Sequence, residues 1–189
     1  MIRNTAREIA VHLAYELSFT DKTVEELLDE RLTKEYFDTL KDEDDIYEKA
    51  PGAAQTEYIR SIVSGVAEHA PELDGYIAKY AKGWSFDRIP LVASAIMRVA
   101  MYESLYRSDI PTRVAVNEAV EMTKRHRREK AAGMVNAILR KFAANREDMP
   151  PLPKGSPAQT LSLRYSHPGG WWSVCFPSSA RRRRRRISV

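Results

Sequence analysis

The sequence predicts an all-α fold, and three observations lead to this prediction. Apolar residues recur at intervals of three and four in several separate segments, which is the spacing of one face of a helix. Prolines stand next to the start of such segments, where they cost no helical hydrogen bond. Finally, no comparable segment alternates with period two over the length of a strand. We therefore expect a compact helical bundle with an irregular C-terminal tail.

Four apolar faces predict four core helices. In chain order they consist of Ile9, Leu13 and Leu17; of Ile59, Ile62, Val63 and Val66; of Leu73, Ile77 and Tyr80, after Ala70-Pro71; and of Val92, Ile96, Val99 and Leu105, after Pro90. Charged residues flank these faces, so each helix needs a partner to bury its apolar side.

An acidic segment from Thr23 to Lys49 separates the first two faces. It keeps a partial apolar pattern, so we expect one helix followed by a solvated loop through Pro51-Gly52. The acidic face is interpreted as solvated rather than as a site for a basic partner.

Charge divides the chain into two regions. The net charge is +4, from 30 basic and 26 acidic residues, but residues 149–189 hold 8 of the basic residues and no acidic ones. The remainder therefore has 22 basic against 26 acidic residues and is slightly acidic. Residues 149–157 are proline-rich and cannot continue a helix. We predict a domain over residues 1–148 and a linker and arginine-rich tail over residues 149–189, disordered or out of frame.

Residue usage excludes several function classes. The only cysteine, Cys175, lies in the tail, so the domain has no disulfide or thiol nucleophile, and a reducing cytoplasmic location is expected. No segment resembles a secretion signal or a membrane span. The spacing of Glu118 and Glu121 lacks the companions of an active site, and the four histidines form no H-x-x-x-H arrangement. We predict no enzyme activity, metal site or cofactor.

Six short motifs stand in order along the domain. They are Ala6-Arg7-Glu8, Gly83-Trp84 with Arg88-Ile89, Tyr102-Glu103, Ile110-Pro111, Asn117-Glu118-Ala119 and Val135-Asn136. With this order and spacing, residues 3–145 resemble the NusB family of bacterial transcription antitermination factors. The resemblance implies two helical subdomains, binding of boxA-type single-stranded RNA, and pairing with NusE, a ribosomal small-subunit protein.

Helix spacing and the resemblance together suggest an RNA surface. Arg3 and Arg7 are four residues apart and project from one side of the first helix, either toward successive phosphates or simply into solvent. By resemblance, Arg7 matches an RNA-binding arginine. Tyr15 matches an aromatic position near RNA, where its ring stacks on an unpaired base or else lies at the edge of the core.

The richest basic stretch of the domain runs from Lys124 to Lys130. The helix dipole favours cations at a helix C-terminus, but it accounts for one or two of them rather than five. By resemblance, Lys130 and Met134 fall where RNA contacts are expected, with Met134 in place of an aromatic residue. Lys124, from the basic stretch itself, is a further candidate for RNA binding. The same resemblance places a partner-binding site at Tyr102, Glu103 and Thr112.

Asn117 and Asn136 lie on largely apolar faces, where we expect hydrogen bonds that fix one helix against another.

The tail suggests an alternative function. The segment Leu161–Pro168 resembles the connection that follows a NusB-type domain in 16S rRNA cytosine-C5 methyltransferases of the RsmB kind. On this interpretation the chain is the RNA-binding domain of a truncated methyltransferase. The run Arg181–Arg186 is then an out-of-frame or truncated end rather than an RNA-binding segment.

Overall fold

The computed structural model describes residues 3–84, 89–126 and 129–145, without the side chains of residues 129 and 130. These ranges contain eight α-helices, one short 3-10 helix and no strand. The helices are α1 (Arg3–Glu16), α2 (Val24–Arg31), α3 (Lys34–Leu40), α4 (Ala53–Glu68), α5 (Ala70–Tyr80), α6 (Leu91–Tyr106), α7 (Thr112–Arg125) and α8 (Glu129–Ala144), and the 3-10 helix is Asp45–Tyr47. The predicted all-α fold is confirmed, whereas the predicted tail lies outside the described residues.

The helices form two groups that meet at α6. In the first group, α1 and α2 pack on α4, and α3 packs on α2. In the second group, α5, α7 and α8 surround α6. The groups join where α1 and α4 pack against α6, which is buried along most of its length because apolar residues cover nearly its whole circumference. This arrangement agrees with two helical subdomains.

The acidic segment forms two helices, which corrects the expectation of one helix and a loop. Thr23 and Glu26 cap α2 reciprocally: the Thr23 hydroxyl accepts the Glu26 backbone N–H at 3.2 Å, and the Glu26 carboxylate accepts the Thr23 N–H at 2.8 Å. Thr33 then caps α3 by accepting the Tyr36 N–H at 3.2 Å. The second helix forms because Phe37 finds a place in the core.

A glycine brings α4 and α6 close together. Gly65 lies against the ring of Tyr102, and a Cβ atom at position 65 would overlap that ring. The missing side chain therefore allows the close packing of the two helices that join the groups.

In the described part of the chain, none of the helices has both the length and the apolar character that a membrane crossing requires.

Candidate nucleic-acid interface

The C-terminal end of α1 presents two aromatic rings to solvent. Tyr15 is 37 % exposed, and Phe19, in the turn after α1, is 62 % exposed. Their ring centroids lie 4.9 Å apart at an interplanar angle of 59°. We call these two residues the exposed aromatic pair. Two partly open π faces at one helix end are suited to stacking on unpaired bases.

At the start of the same helix, Arg3 lies on the surface. Its side chain is 56 % exposed, and its guanidinium lies 3.2 Å from the Asp109 carboxylate. Asp109 also accepts a hydrogen bond from Arg107 at 3.0 Å, and this bond lowers the pKa of Asp109 below its ordinary value. Arg3 therefore has an acidic neighbour but remains accessible to a phosphate, because surface ion pairs of this kind exchange readily with other partners.

One turn further on, Arg7 is buried, with only 3 % of its side chain exposed. Its Nε lies 3.0 and 2.9 Å from the two carboxylate oxygens of Glu103 on α6, and Tyr58 on α4 donates a hydrogen bond to the same carboxylate. We call Arg7, Tyr58 and Glu103 the buried charge cluster. The expectation that Arg7 projects toward RNA phosphates is corrected, because this side of α1 faces α4 and α6.

The electrostatics of this cluster are those of a paired buried ion. Burial, the largest single influence, disfavours the charged guanidinium. The charge and hydrogen bond of Glu103, with smaller contributions from Tyr58 and Glu118, together raise the pKa of Arg7 above its ordinary value. Burial, reinforced by the negative charge of Glu103, also raises the pKa of Tyr58, so its hydroxyl keeps the proton that it donates. The cluster joins α1, α4 and α6 through charged hydrogen bonds.

The residues expected to bind a partner differ in exposure. Glu103 is fully buried. The expectation that its side chain contacts another protein directly is therefore corrected, and its role lies inside the fold. Tyr102 and Thr112 are half-buried and reach the surface. The Tyr102 ring stacks on exposed Tyr106, with ring centroids 5.0 Å apart at 30°. An aromatic surface therefore lies at the C-terminal end of α6.

The basic end of α7 lies beside α1. Lys124 is exposed and pairs with Glu121 at 2.7 Å, and Arg125 pairs with Glu8 of α1 at 3.0 Å. The ring of His126 lies 5.5 Å from that of His12, one turn before Tyr15. The structure thus brings the basic end of α7 against α1 at Glu8 and His12, one to two turns before Tyr15.

Two residues of the expected RNA site have other outcomes. Met134 is 4 % exposed and belongs to the core. The expectation that its side chain contacts RNA directly is therefore corrected. The apolar side of α8 faces α5, α6 and α7, and Met134 lies on that side. The side chain of Lys130 lies outside the described residues.

The comparisons with known proteins agree with this architecture. Among protein-family models, that of the NusB family matches residues 4–144. The chain belongs to the NusB family. It is 40 % identical over 141 residues to the transcription antitermination protein NusB of Acetivibrio thermocellus, which covers 75 % of this chain and 88 % of that relative.

Two solved structures share the fold. The solution structure of NusB from Aquifex aeolicus has a TM-score of 0.59 and 23 % identity, and covers 82 % of this chain and 97 % of that one. A crystal structure of antitermination factors NusB and NusE in complex with dsRNA has a TM-score of 0.59 and 20 % identity, and covers 75 % of this chain and 96 % of that one.

Within this NusB-family fold, sequence reasoning missed Phe19 and misjudged two asparagines. Phe19 follows Tyr15 by four residues, a spacing that could have indicated a shared helix face. Asn117 is exposed, and Asn136 accepts a hydrogen bond from Arg140 of its own helix at 3.0 Å. The expectation that these asparagines form hydrogen bonds between helices is therefore corrected. Both asparagines line an open groove between α7 and α8, where solvent satisfies polar groups.

Proposed function

We propose that this chain acts in transcription antitermination by binding boxA-type single-stranded RNA together with NusE, the ribosomal small-subunit protein. Membership of the NusB family supports this proposal, as does the 40 % identity to a relative named transcription antitermination protein NusB. A structural neighbour with the same fold was solved in complex with NusE and dsRNA. The role is one of binding without a catalytic step, and it places the protein in the cytoplasm.

One observation supports the RNA surface: the basic end of α7 packs on α1 at Glu8 and His12, and the same helix carries exposed Tyr15 near its C-terminal end. Single-stranded nucleic acids are bound by aromatic rings that stack on bases and by cations that follow the phosphates. The domain is slightly acidic overall, so a local surface of this kind, rather than net charge, must supply the affinity. We propose that Tyr15, Phe19, Lys124 and Lys130 contact RNA.

We propose Arg3 as a separate phosphate contact at the opposite end of α1, beside Asp109, whereas Arg7 acts from within. Because Arg7 holds α1 against α6 through Glu103, it fixes the orientation of the helix that carries Tyr15. Met134, on the buried side of α8, has a similar supporting position in the core. Loss of either residue would weaken RNA binding through the fold rather than through a lost contact.

We propose that NusE binds at the C-terminal end of α6 and the start of α7. Tyr102 and Thr112 reach the surface there, and exposed Tyr106 extends the aromatic area. Tyrosine is enriched in protein interfaces, since its ring buries a large area while its hydroxyl keeps a polar partner. Glu103 lies behind this surface and supports it from the core.

The alternative function as part of a methyltransferase receives less support. The chain covers 88 % of the length of a relative that is itself an antitermination protein. The segment that suggested a methyltransferase, Leu161–Pro168, lies outside the described residues.

An RNA-binding measurement tests the proposed function. The full chain is used with Arg181–Arg186 replaced by serine in every variant, because six arginines would bind any polyanion. We expect a boxA-type single-stranded RNA to bind, and the double variant Tyr15→Ala with Phe19→Ala to lose at least tenfold in affinity because two stacking rings are removed. Fluorescence anisotropy at fixed low salt measures this.

The matched control is Tyr106→Ala, which removes an exposed tyrosine at the proposed NusE surface. It should keep RNA affinity and lose capture of the ribosomal protein, while the Tyr15 and Phe19 variant should keep that capture. Absence of RNA binding at low salt, even with the ribosomal protein present, would contradict the proposal.

A further inference from the structure

Three ionisable side chains, two on α1 and one directly after α7, lie close together. Glu8 and His12 are one turn apart on α1, and His126 follows the last residue of α7. One ligand-type atom of each lies within 4.8 Å of those of the other two. We call Glu8, His12 and His126 the Glu-His-His cluster. Sequence spacing gave no sign of it because α1 and α7 are far apart in the chain.

The two histidines have nitrogens in suitable positions. His12 Nδ1 lies 2.9 Å from the Tyr47 hydroxyl, which holds the ring and leaves Nε2 for another partner. His126 Nε2 is buried, has no hydrogen-bond partner, and lies 3.5 Å from Glu8 Oε1. A buried nitrogen without a partner is costly, so its environment calls for a ligand.

The carboxylate of Glu8 is divided between two neighbours. Its Oε2 lies 3.0 Å from an Arg125 nitrogen, while Oε1 faces His126. Arg125 thus orients the carboxylate from the outer side and leaves one oxygen directed into the cluster. An orienting hydrogen bond of this kind is the usual companion of a metal ligand, as is the Tyr47 contact of His12.

Charged side chains outside the Glu-His-His cluster act on its members. Arg125 pairs with Glu8. Asp44, whose charge acts on both Glu8 and His12, supplies a second negative charge that offsets Arg125.

We propose that Glu8, His12 and His126 form a binding site for one Zn²⁺ ion. Two imidazoles and one carboxylate are a common zinc ligand set, which leaves a fourth position for water. Bonds of about 2.0–2.2 Å in a tetrahedral site bring ligand atoms to within roughly 3.5 Å of one another. The Glu8–His126 distance already meets this value, and modest side-chain rotation closes the rest.

Such an ion would connect α1 to the end of α7. The two helices belong to different groups, and the Glu8–Arg125 ion pair already links them there. A metal bound by the folded arrangement alone stabilises it by mass action. This inference does not depend on the proposed RNA function.

Zinc affinity of the full chain tests the site. The chain carries Cys175→Ser and His167→Ala in all variants, since both tail residues are able to bind zinc. After removal of metal with a chelator, we expect one Zn²⁺ per chain by competition with a chromophoric chelator. Glu8→Gln and His126→Ala should each weaken binding at least tenfold. His69→Ala is the matched control, because His69 also pairs with a glutamate, Glu72, and is similarly exposed.

A second measurement guards against variants that fail to fold. Circular dichroism verifies helicity, and Glu8→Gln keeps the shape of the side chain. Zinc at 100 times its dissociation constant should raise the Tm of the parent and of His69→Ala by roughly 5–10 °C. Glu8→Gln should show little of this rise. Equal zinc affinity and equal Tm shifts in all variants would overturn the site, as would the absence of zinc binding by the parent.

Discussion

Helix α1 has two regions with opposite environments. Its N-terminal half contributes Arg7 to the buried charge cluster, while its C-terminal end carries Tyr15 of the exposed aromatic pair. Both residues lie at positions that the resemblance assigns to RNA. Only the second reaches solvent. One helix thus supplies a fixed attachment to α6 and, two turns later, a surface free to meet a ligand.

The difference comes from what covers each region. Arg7 lies where α6 packs against α1, and there its Nε donates to the Glu103 carboxylate while its Nη1 donates to Asn4 Oδ1 at 3.0 Å. Tyr15 is 37 % exposed, and its ring lies against that of Phe19, which is also exposed. A charged residue at a motif position is therefore not evidence of a surface. Its function depends on the helix that packs against it.

The largest expected effect comes from breaking the buried charge cluster. Glu103→Ala leaves Arg7 buried without its counter-ion, which should lower the free energy of unfolding by about 3–5 kcal/mol. Urea denaturation followed by circular dichroism measures the loss. The double variant Arg7→Met with Glu103→Leu should recover most of it, because apolar side chains of similar volume avoid the desolvation cost. A loss under about 1 kcal/mol for the single variant would show that the cluster is not structurally important.

An intermediate effect should follow from changing one ring of the exposed aromatic pair. Tyr15→Ala should weaken binding of single-stranded RNA by about 1–3 kcal/mol, while Tyr15→Phe keeps the ring and most of the affinity. The slope of log affinity against log salt should stay the same in both, since no phosphate contact is lost. A changed slope, or equal loss in both variants, would show that Tyr15 does not act by stacking.

The smallest effect is expected at Arg3. Arg3→Ala should reduce the salt slope of RNA binding by about 0.7, the value for one phosphate contact on a single strand. Unfolding free energy should change by less than about 0.5 kcal/mol, because the Arg3–Asp109 pair is exposed. Binding titrations at several salt concentrations measure the slope. An unchanged slope would show that Arg3 is a solvated charge that makes no contact with an RNA phosphate.

Much of the fold follows from the sequence, because apolar spacing identifies a helix and its buried side. The faces containing Ile9, Ile62, Ile77 and Ile96 all lie in the core as predicted. The helix containing Phe37 was missed because its segment is short and acidic, and because one buried ring is a weak periodic signal.

The candidate site was less predictable. Spacing places Arg3 and Arg7 on one side of α1 but gives no indication that α6 covers only the second. The same limit applies to Glu103 and Met134, whose burial depends on helices distant in the chain. The Glu-His-His cluster is a further case, since no local motif connects His12 to His126. Contacts between segments that are distant in the chain determine these roles. Patterns within a short stretch of sequence do not indicate such contacts.

The contact between Gly65 and Tyr102 links an interior position to the molecular surface. The Tyr102 ring rests against the α4 backbone only because position 65 carries a hydrogen atom in place of a methyl group. Any larger residue there would displace the ring outward, together with Tyr106 stacked on it. A single methyl group in the interior would thus reshape a face for which a protein partner is proposed, although no atom of residue 65 belongs to that face.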